Sequence, residues 1–246
     1  MEKVVKLFGL DHVFPSLHSV FITTPYDDNS HLVGFLQNLA RSCPSLRKIG
    51  LSRRKFPGID LPAEFGVSVD HVTLRFLHRI QGLEEFRLEH AWPVFIHDEA
   101  VVDFISHLPR LRTLHLNPNP VYAILPLTTF QVLGMISERC PWVQDLALYL
   151  TPGNEGVHLE TTEPTNVLRN LTKIRFGKTL VPDALRNQMM SYLSLVLPPS
   201  CDIITDSTEP LDGLPESVTT STGFAGIHAF WKDVGAQWRN RRFANS

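Results

Sequence analysis

Cysteine is scarce in this chain: Cys43, Cys140 and Cys201 are the 3 present in 246 residues, and no two of them form a C-x-x-C pair. An odd, scattered set argues against a disulfide framework or a zinc ribbon and suits a reducing compartment. Long apolar runs are also missing, since none approaches the roughly 20 residues needed to span a bilayer. The opening Met1-Glu-Lys-Val-Val-Lys has no apolar stretch of the secretory kind. These absences predict an intracellular protein, cytoplasmic or nuclear, with no membrane partner. Asn170-Leu171-Thr172 matches a glycosylation sequon, but without a secretory signal it is expected to stay unmodified.

An excess of one charge is lacking as well. A net charge of -2 and a pI near 6.6 give no general pull toward nucleic acid. The basic runs Arg53-Arg54-Lys55 and Arg239 to Arg242 are too short to change that, and both read as solvated loops. Neither a G-x-S-x-G elbow nor a phosphate-binding P-loop occurs, and Gly223-Phe-Ala-Gly226 is too short to cradle phosphate. The 11 histidines are dispersed. His71 and His78 are spaced to share a helix face, but two ligands make a poor metal site. No metal, no cofactor and no catalytic residue is expected, so the chain does not read as an enzyme.

What is present is a repeated phrase. Leu108 to Asn117 reads LPRLRTLHLN, in which Leu111, Leu114 and Leu116 have the L-x-x-L-x-L spacing of a leucine-rich repeat and Asn117 follows. The alternation of Leu114 and Leu116 with Thr113 and His115 predicts a short strand with one apolar and one polar face. Five more copies place their three apolar positions at Leu17, Val20 and Ile22; Leu46, Ile49 and Leu51; Leu83, Phe86 and Leu88; Val143, Leu146 and Leu148; and Leu171, Ile174 and Phe176. Successive copies start about 28 to 37 residues apart, at or just above the usual repeat length of about 20 to 29. Each interval has room for a strand, a helix and two turns. Cys43 and Cys140 each precede a proline where a helix gives way to a strand, a place for a small, buried and inert thiol.

The intervening segments carry helical periodicity. Leu32, Phe35, Leu36 and Leu39 form one stripe after Asp28-Asn29-Ser30, and Val101, Phe104, Ile105 and Leu108 form another, with Asp98 as its expected cap. Thr128 and Gln131 suggest a capping box before Val132, Leu133, Ile136 and Cys140. Val69, Val72, Phe76 and Ile80 suggest a further helix, and Leu185, Met189, Tyr192, Leu193 and Val196 one that stops at Pro198-Pro199. Residues 151–165 are rich in Pro, Gly, Glu and Thr and read as a loop. The segment from Cys201 reads as a final edge strand, and Ile227, Trp231, Val234 and Trp238 fall on one stripe of a last helix. The expected organisation is an N-terminal cap at 1–13, irregular repeats at 14–205, a flexible linker at 206–223 and a helix at 224–246. That helix either caps the repeats or meets a partner. The expected fold class is α/β, a leucine-rich repeat solenoid with short parallel strands on its concave face and helices on its convex face.

These C-P-x-L and L-P-x-L phrases, each followed by a strand and an amphipathic helix, resemble the repeat region of the F-box/leucine-rich repeat proteins abundant in fungi. The resemblance covers roughly residues 14–205. It implies a substrate-recognition role in a ubiquitin ligase, whose adaptor for the cullin is bound by an N-terminal F-box. Too few residues precede Phe14 to form that box, so the resemblance is to the recognition half. A cullin adaptor is expected as partner only if an F-box lies upstream.

Between the apolar positions the strands present Ser19 and Phe21, Lys48 and Gly50, Glu85 and Arg87, Thr113 and His115, Asp145 and Ala147, and Lys173 and Arg175. Strands about 4.8 Å apart would align these as two rows. One reading is a solvated face whose cross-strand pairs are each worth a few tenths of a kcal/mol. The other is a protein-binding face formed by Lys48, Glu85, Arg87, Thr113, His115, Asp145, Tyr149, Lys173 and Arg175, with Tyr149 as an exposed aromatic anchor. Three functions remain open: a protein-recognition module of the F-box type, a stand-alone structural or regulatory repeat protein, and, remotely, a hydrolase-like enzyme on a repeat scaffold.

Overall fold

A computed structural model describes residues 13–23, 29–52, 69–90, 92–120, 125–152, 167–179, 181–204 and 223–244. Residues 1–12 of the expected N-terminal cap, 206–222 of the expected linker, the Arg53 run and most of the 151–165 loop lie outside these residues, while Gly223, expected in the linker, begins a helix.

The described chain is α/β. Seven strands, β1 (Ser19–Thr23), β2 (Lys48–Ser52), β3 (Glu85–Glu89), β4 (Thr113–Leu116), β5 (Asp145–Leu148), β6 (Lys173–Arg175) and β7 (Asp202–Ile204), form one sheet in chain order. Every neighbouring pair is parallel. A parallel pair needs a crossover, and helices supply several of them: α1 (Asn29–Ser42), the short α2 (His71–Leu74) continuing as a 3₁₀ turn (Arg75–Arg79), α3 (Asp98–Ser106), α4 (Gln131–Arg139) and α5 (Arg186–Val196). A last helix, α6 (Gly223–Ala244), follows β7.

One backbone device recurs at the start of the strands. Leu17, Leu46, Leu83, Leu111, Val143, Leu171 and Cys201 each donate their N–H to the carbonyl three residues earlier, at 2.8–3.3 Å. Just beyond the turn, one carbonyl of the preceding strand's lead-in accepts two successive N–H groups. Arg47 and Lys48 donate to His18, Glu84 and Glu85 to Arg47, Arg112 and Thr113 to Glu84, Gln144 and Asp145 to Arg112, and Thr172 and Lys173 to Gln144. Each copy therefore hangs on the one before it, and this sets the register. Ile49 lies beside Phe86, Phe86 beside Leu114, Leu114 beside Leu146 and Leu146 beside Ile174.

These inward strand residues, with Leu51, Leu88, Leu116 and Leu148, join the apolar sides of α1, α3, α4 and α5 in one core. Burying a leucine of this kind contributes about 1.5–3 kcal/mol before the entropy of ordering is charged. All three cysteines are free and buried, and burial raises the thiol pKa of Cys43 and Cys140, which keeps them protonated and unreactive.

Several local expectations are corrected by long-range contacts. Asp98 does not cap its own helix: His97 holds that position, and the buried Asp98 carboxylate accepts from the N–H and hydroxyl of Thr129 at the start of the next unit. Burial raises the pKa of Asp98, and the two Thr129 hydrogen bonds only partly oppose this. The Thr128 capping box is not formed either. Thr128 Oγ1 donates to the Ile96 carbonyl at 2.7 Å, and Thr129 Oγ1 accepts from Gln131 N–H instead. In the 69–80 segment Val69 and Ile80 of the expected stripe are buried and Phe76 packs partly against the core, but Val72 is exposed and Thr73, Leu74 and Leu77 complete the buried side. Asp70 caps that short helix through Thr73 N–H at 2.9 Å. Arg239 belongs to α6 and not to a loop.

The described end of the sheet is covered by α6. Trp231, Val234 and Trp238 are buried in the same core. Trp231 Nε1 donates to the Thr179 carbonyl at 2.9 Å and Trp238 Nε1 to the Cys201 carbonyl at 2.8 Å. The Trp231 ring stacks on Phe176 with centroids 4.4 Å apart. Among the described residues no helix is long and apolar enough to cross a membrane.

Candidate binding face

Because side chains alternate along a strand, the residues between the core positions stand on the opposite side of the sheet. Parallel register lines them up in two rows. Ser19, Lys48, Glu85, Thr113, Asp145, Lys173 and Asp202 form the first, and Phe21, Gly50, Arg87, His115, Ala147, Arg175 and Ile204 the second.

The charged members of these rows fall into two groups. Glu85 lies between two cations, with Lys48 Nζ on the neighbouring strand 3.4 Å from one carboxylate oxygen and Arg87 Nε donating to the other at 2.6 Å. Asp145 accepts from His115 Nε2 at 3.0 Å, a diagonal bond between β4 and β5. Burial alone would raise the Asp145 pKa, but the hydrogen bond and charge of His115, with the nearby Arg175 and Arg87, outweigh it and hold the group below the usual carboxylate range. Both carboxylates are thus compensated. Four cations, Lys48, Arg87, Lys173 and Arg175, share this stretch with them. Arg175 Nε is buried and has no hydrogen-bond acceptor among the described residues.

Not every expected residue is displayed. Tyr149 lies one residue beyond β5 and is only 6% exposed, and burial pushes its phenol up to about 12, so it is not an exposed anchor. His115 is 7% exposed and presents its ring nitrogen to Asp145 rather than to solvent. Thr113 is half-buried and Lys173 exposed.

The aromatic group that the face does display is Phe21, 63% exposed on β1. Its ring lies over Gly50 on β2, where a Cβ would collide with the ring. The signal was in the alternation: an apolar residue at an outward position, beside the one outward glycine.

Compared with known proteins, the chain matches no family model and no curated protein. The reading of the face rests on its own chemistry. Its side chains can form charge-assisted hydrogen bonds and one aromatic contact. Among the described residues they do not gather a nucleophile beside a base, because the imidazole–carboxylate pair of this face, His115 and Asp145, has no Ser, Thr or Cys hydroxyl or thiol hydrogen-bonded to it.

Proposed function

We propose that this chain is a leucine-rich repeat solenoid that acts as a non-catalytic protein-recognition module. Its strands would line the concave face and its helices the convex face, as in the substrate-binding repeats of F-box ubiquitin ligase subunits. The reading rests on one observation above all: outward side chains from seven consecutive strands lie in two registered rows, with Glu85 already paired to Lys48 and Arg87 and Asp145 hydrogen-bonded to His115. Lys173 and Arg175 then remain to receive acidic or carbonyl groups of a target, Lys48 and Arg87 would do so only by sharing or leaving Glu85, and Phe21 offers an apolar contact at the β1 edge.

Aromatic and arginine side chains are where interface energy concentrates, commonly about 2 kcal/mol or more at a hot spot. Exposed charges of this type add little to folding, so the same residues are free to be selected for a partner. A cullin adaptor would enter only through an F-box in the same polypeptide. The expected setting is intracellular.

The test uses Phe21→Ala, Arg87→Glu and Lys173→Glu together. The full chain and the triple variant are immobilised at equal density after their melting temperatures have been shown to agree. Proteins retained from cell extract are then compared quantitatively. Loss of a defined subset in the variant is the expected result, and identical retained sets would refute the assignment of this face.

A further inference from the structure

On the other side of the sheet, three potential ligands meet between adjacent units. His78 comes from the 3₁₀ turn after α2, Asp103 from α3, and His107 from the C-terminal cap of α3. Their ligand atoms all lie within 4.8 Å of one another. Asp103 and His107 are one helical turn apart and face the same way, with His107 Nδ1 3.6 Å from the Asp103 carboxylate. His78 is brought in from another unit, and its ring stacks on that of His107 with centroids 4.2 Å apart and planes 7° from parallel.

We propose that His78, Asp103 and His107 form a site for one zinc-type divalent cation, which clamps the 3₁₀ turn Arg75–Arg79 to the C-terminal end of α3.

Two observations favour a ligand here over a bare surface cluster. The His78 Nε2 atom is buried and has no hydrogen-bond partner among the described residues, although a buried ring nitrogen left unpaired carries a desolvation cost that a metal bond would remove. The scaffold is also held in place without the ion. Gln81 Nε2 donates to the backbone carbonyl of His78 at 2.6 Å and to that of His107 at 3.2 Å, tying together the two stretches that carry the ligands.

The donor set is two imidazoles and one carboxylate, the nitrogen and oxygen ligands that zinc accepts, with a water completing four-coordination. Magnesium and calcium are disfavoured because they prefer all-oxygen shells. Zinc bonds of about 2.0–2.2 Å place tetrahedral ligands about 3.3 Å apart, so ligand atoms that lie within 4.8 Å of one another must draw closer by up to about 1.5 Å. Two nearly parallel rings cannot both direct in-plane lone pairs at one ion between them. Loading therefore requires one ring to leave the stack. His107 is the ring that turns, since its side chain is about half exposed (51%), and in turning it gives up the 2.8 Å hydrogen bond from Nδ1 to the Asp103 carbonyl. Loss of the His78–His107 stacking is consequently a signature of binding.

The experiment titrates Zn²⁺ alone into the full chain, stripped of metal with a chelator, at near-neutral pH by calorimetry. Asp103→Asn and His107→Ala are run in parallel, both at exposed positions, with the exposed His18→Ala as control. One equivalent should bind, with affinity lowered about tenfold or more in each ligand variant and unchanged in His18→Ala. Zn²⁺ should raise the melting temperature of the wild type and not of His107→Ala. Co²⁺ should give visible d–d absorption without a thiolate charge-transfer band. Absence of saturable binding would overturn the proposal. So would binding that survives unchanged in both ligand variants, since the ion would then sit on other residues.

Discussion

Replacing Trp231 measures how much α6 contributes to closing the end of the sheet. The indole stacks on Phe176, lies 6.4 Å from the Phe130 ring centroid and donates its N–H to Thr179, whose own hydroxyl accepts from Leu150 N–H at 2.9 Å. Trp231→Ala removes the ring from a fully packed site, a change that costs about 3–5 kcal/mol. Trp231→Phe keeps most of the apolar volume but removes the donor to the buried Thr179 carbonyl, which costs about 1–3 kcal/mol. A protein of this length loses roughly 2–4 °C of melting temperature per kcal/mol. The alanine variant should therefore melt about 6–20 °C lower, with the phenylalanine variant in between. Differential scanning calorimetry gives the shifts, and urea midpoints check that the slope of unfolding is unchanged. If Trp231→Ala melts within a degree or two of wild type, α6 does not cover the sheet and its apolar stripe is left to serve a partner. Removal of 224–246 in that case would abolish binding without affecting melting.

Leu114 is fully buried between Phe86 and Leu146, so Leu114→Ala should cost about 2–5 kcal/mol in urea unfolding. Leu195→Ala, at a 51% exposed position on α5, should stay within about 0.5 kcal/mol, and equal shifts would refute the inward assignment. Asp145 has a folded-state pKa below its unfolded value, so the stability it contributes is present above about pH 4 and is lost as pH falls through the lower, folded value. Asp145→Asn should therefore flatten the decline of the urea midpoint below that pH; an unchanged acid limb would show that the His115 pair is not formed. Asn117 has a positive φ of 46°, and its side chain accepts from His90 N–H at 3.0 Å and donates to the Trp92 carbonyl at 2.6 Å. Asn117→Ala should lose about 2–4 kcal/mol from strain and two buried hydrogen bonds. Asn117→Gly, which relieves the strain alone, should be milder, and equal losses would remove backbone strain from the account.

Much of the strand layout was legible because it depends on short-range pattern. The spacing of Leu111, Leu114 and Leu116 requires only that a strand alternate and that its leucines leave water, and the copies of the phrase then line up by their own turns. Thus Lys48 lies beside Glu85, and Glu85 beside Thr113, as the repeat ruler predicts. The helical stripes at Leu32 to Leu39 and Val101 to Leu108 were legible for the same reason. Caps were less so. A local motif such as Thr128-x-x-Gln131 competes with every other acceptor that folding brings near, and here the Ile96 carbonyl took the Thr128 hydroxyl.

The chain's sequence by itself determined which residues alternate inward and outward, that the strands follow one another at repeat intervals, and which charges face each other along the rows. Tertiary structure alone decided how much of each outward residue reaches solvent. Tyr149 and His115 sit at display positions yet are buried, while Phe21 stands out over Gly50. It alone paired Asp98 with Thr129 and stacked His78 on His107, residues separated by a whole repeat. The reason is range. Alternation and turn chemistry act over a few residues and leave a periodic mark, whereas solvent exposure and contacts between units depend on where distant segments settle, and leave none.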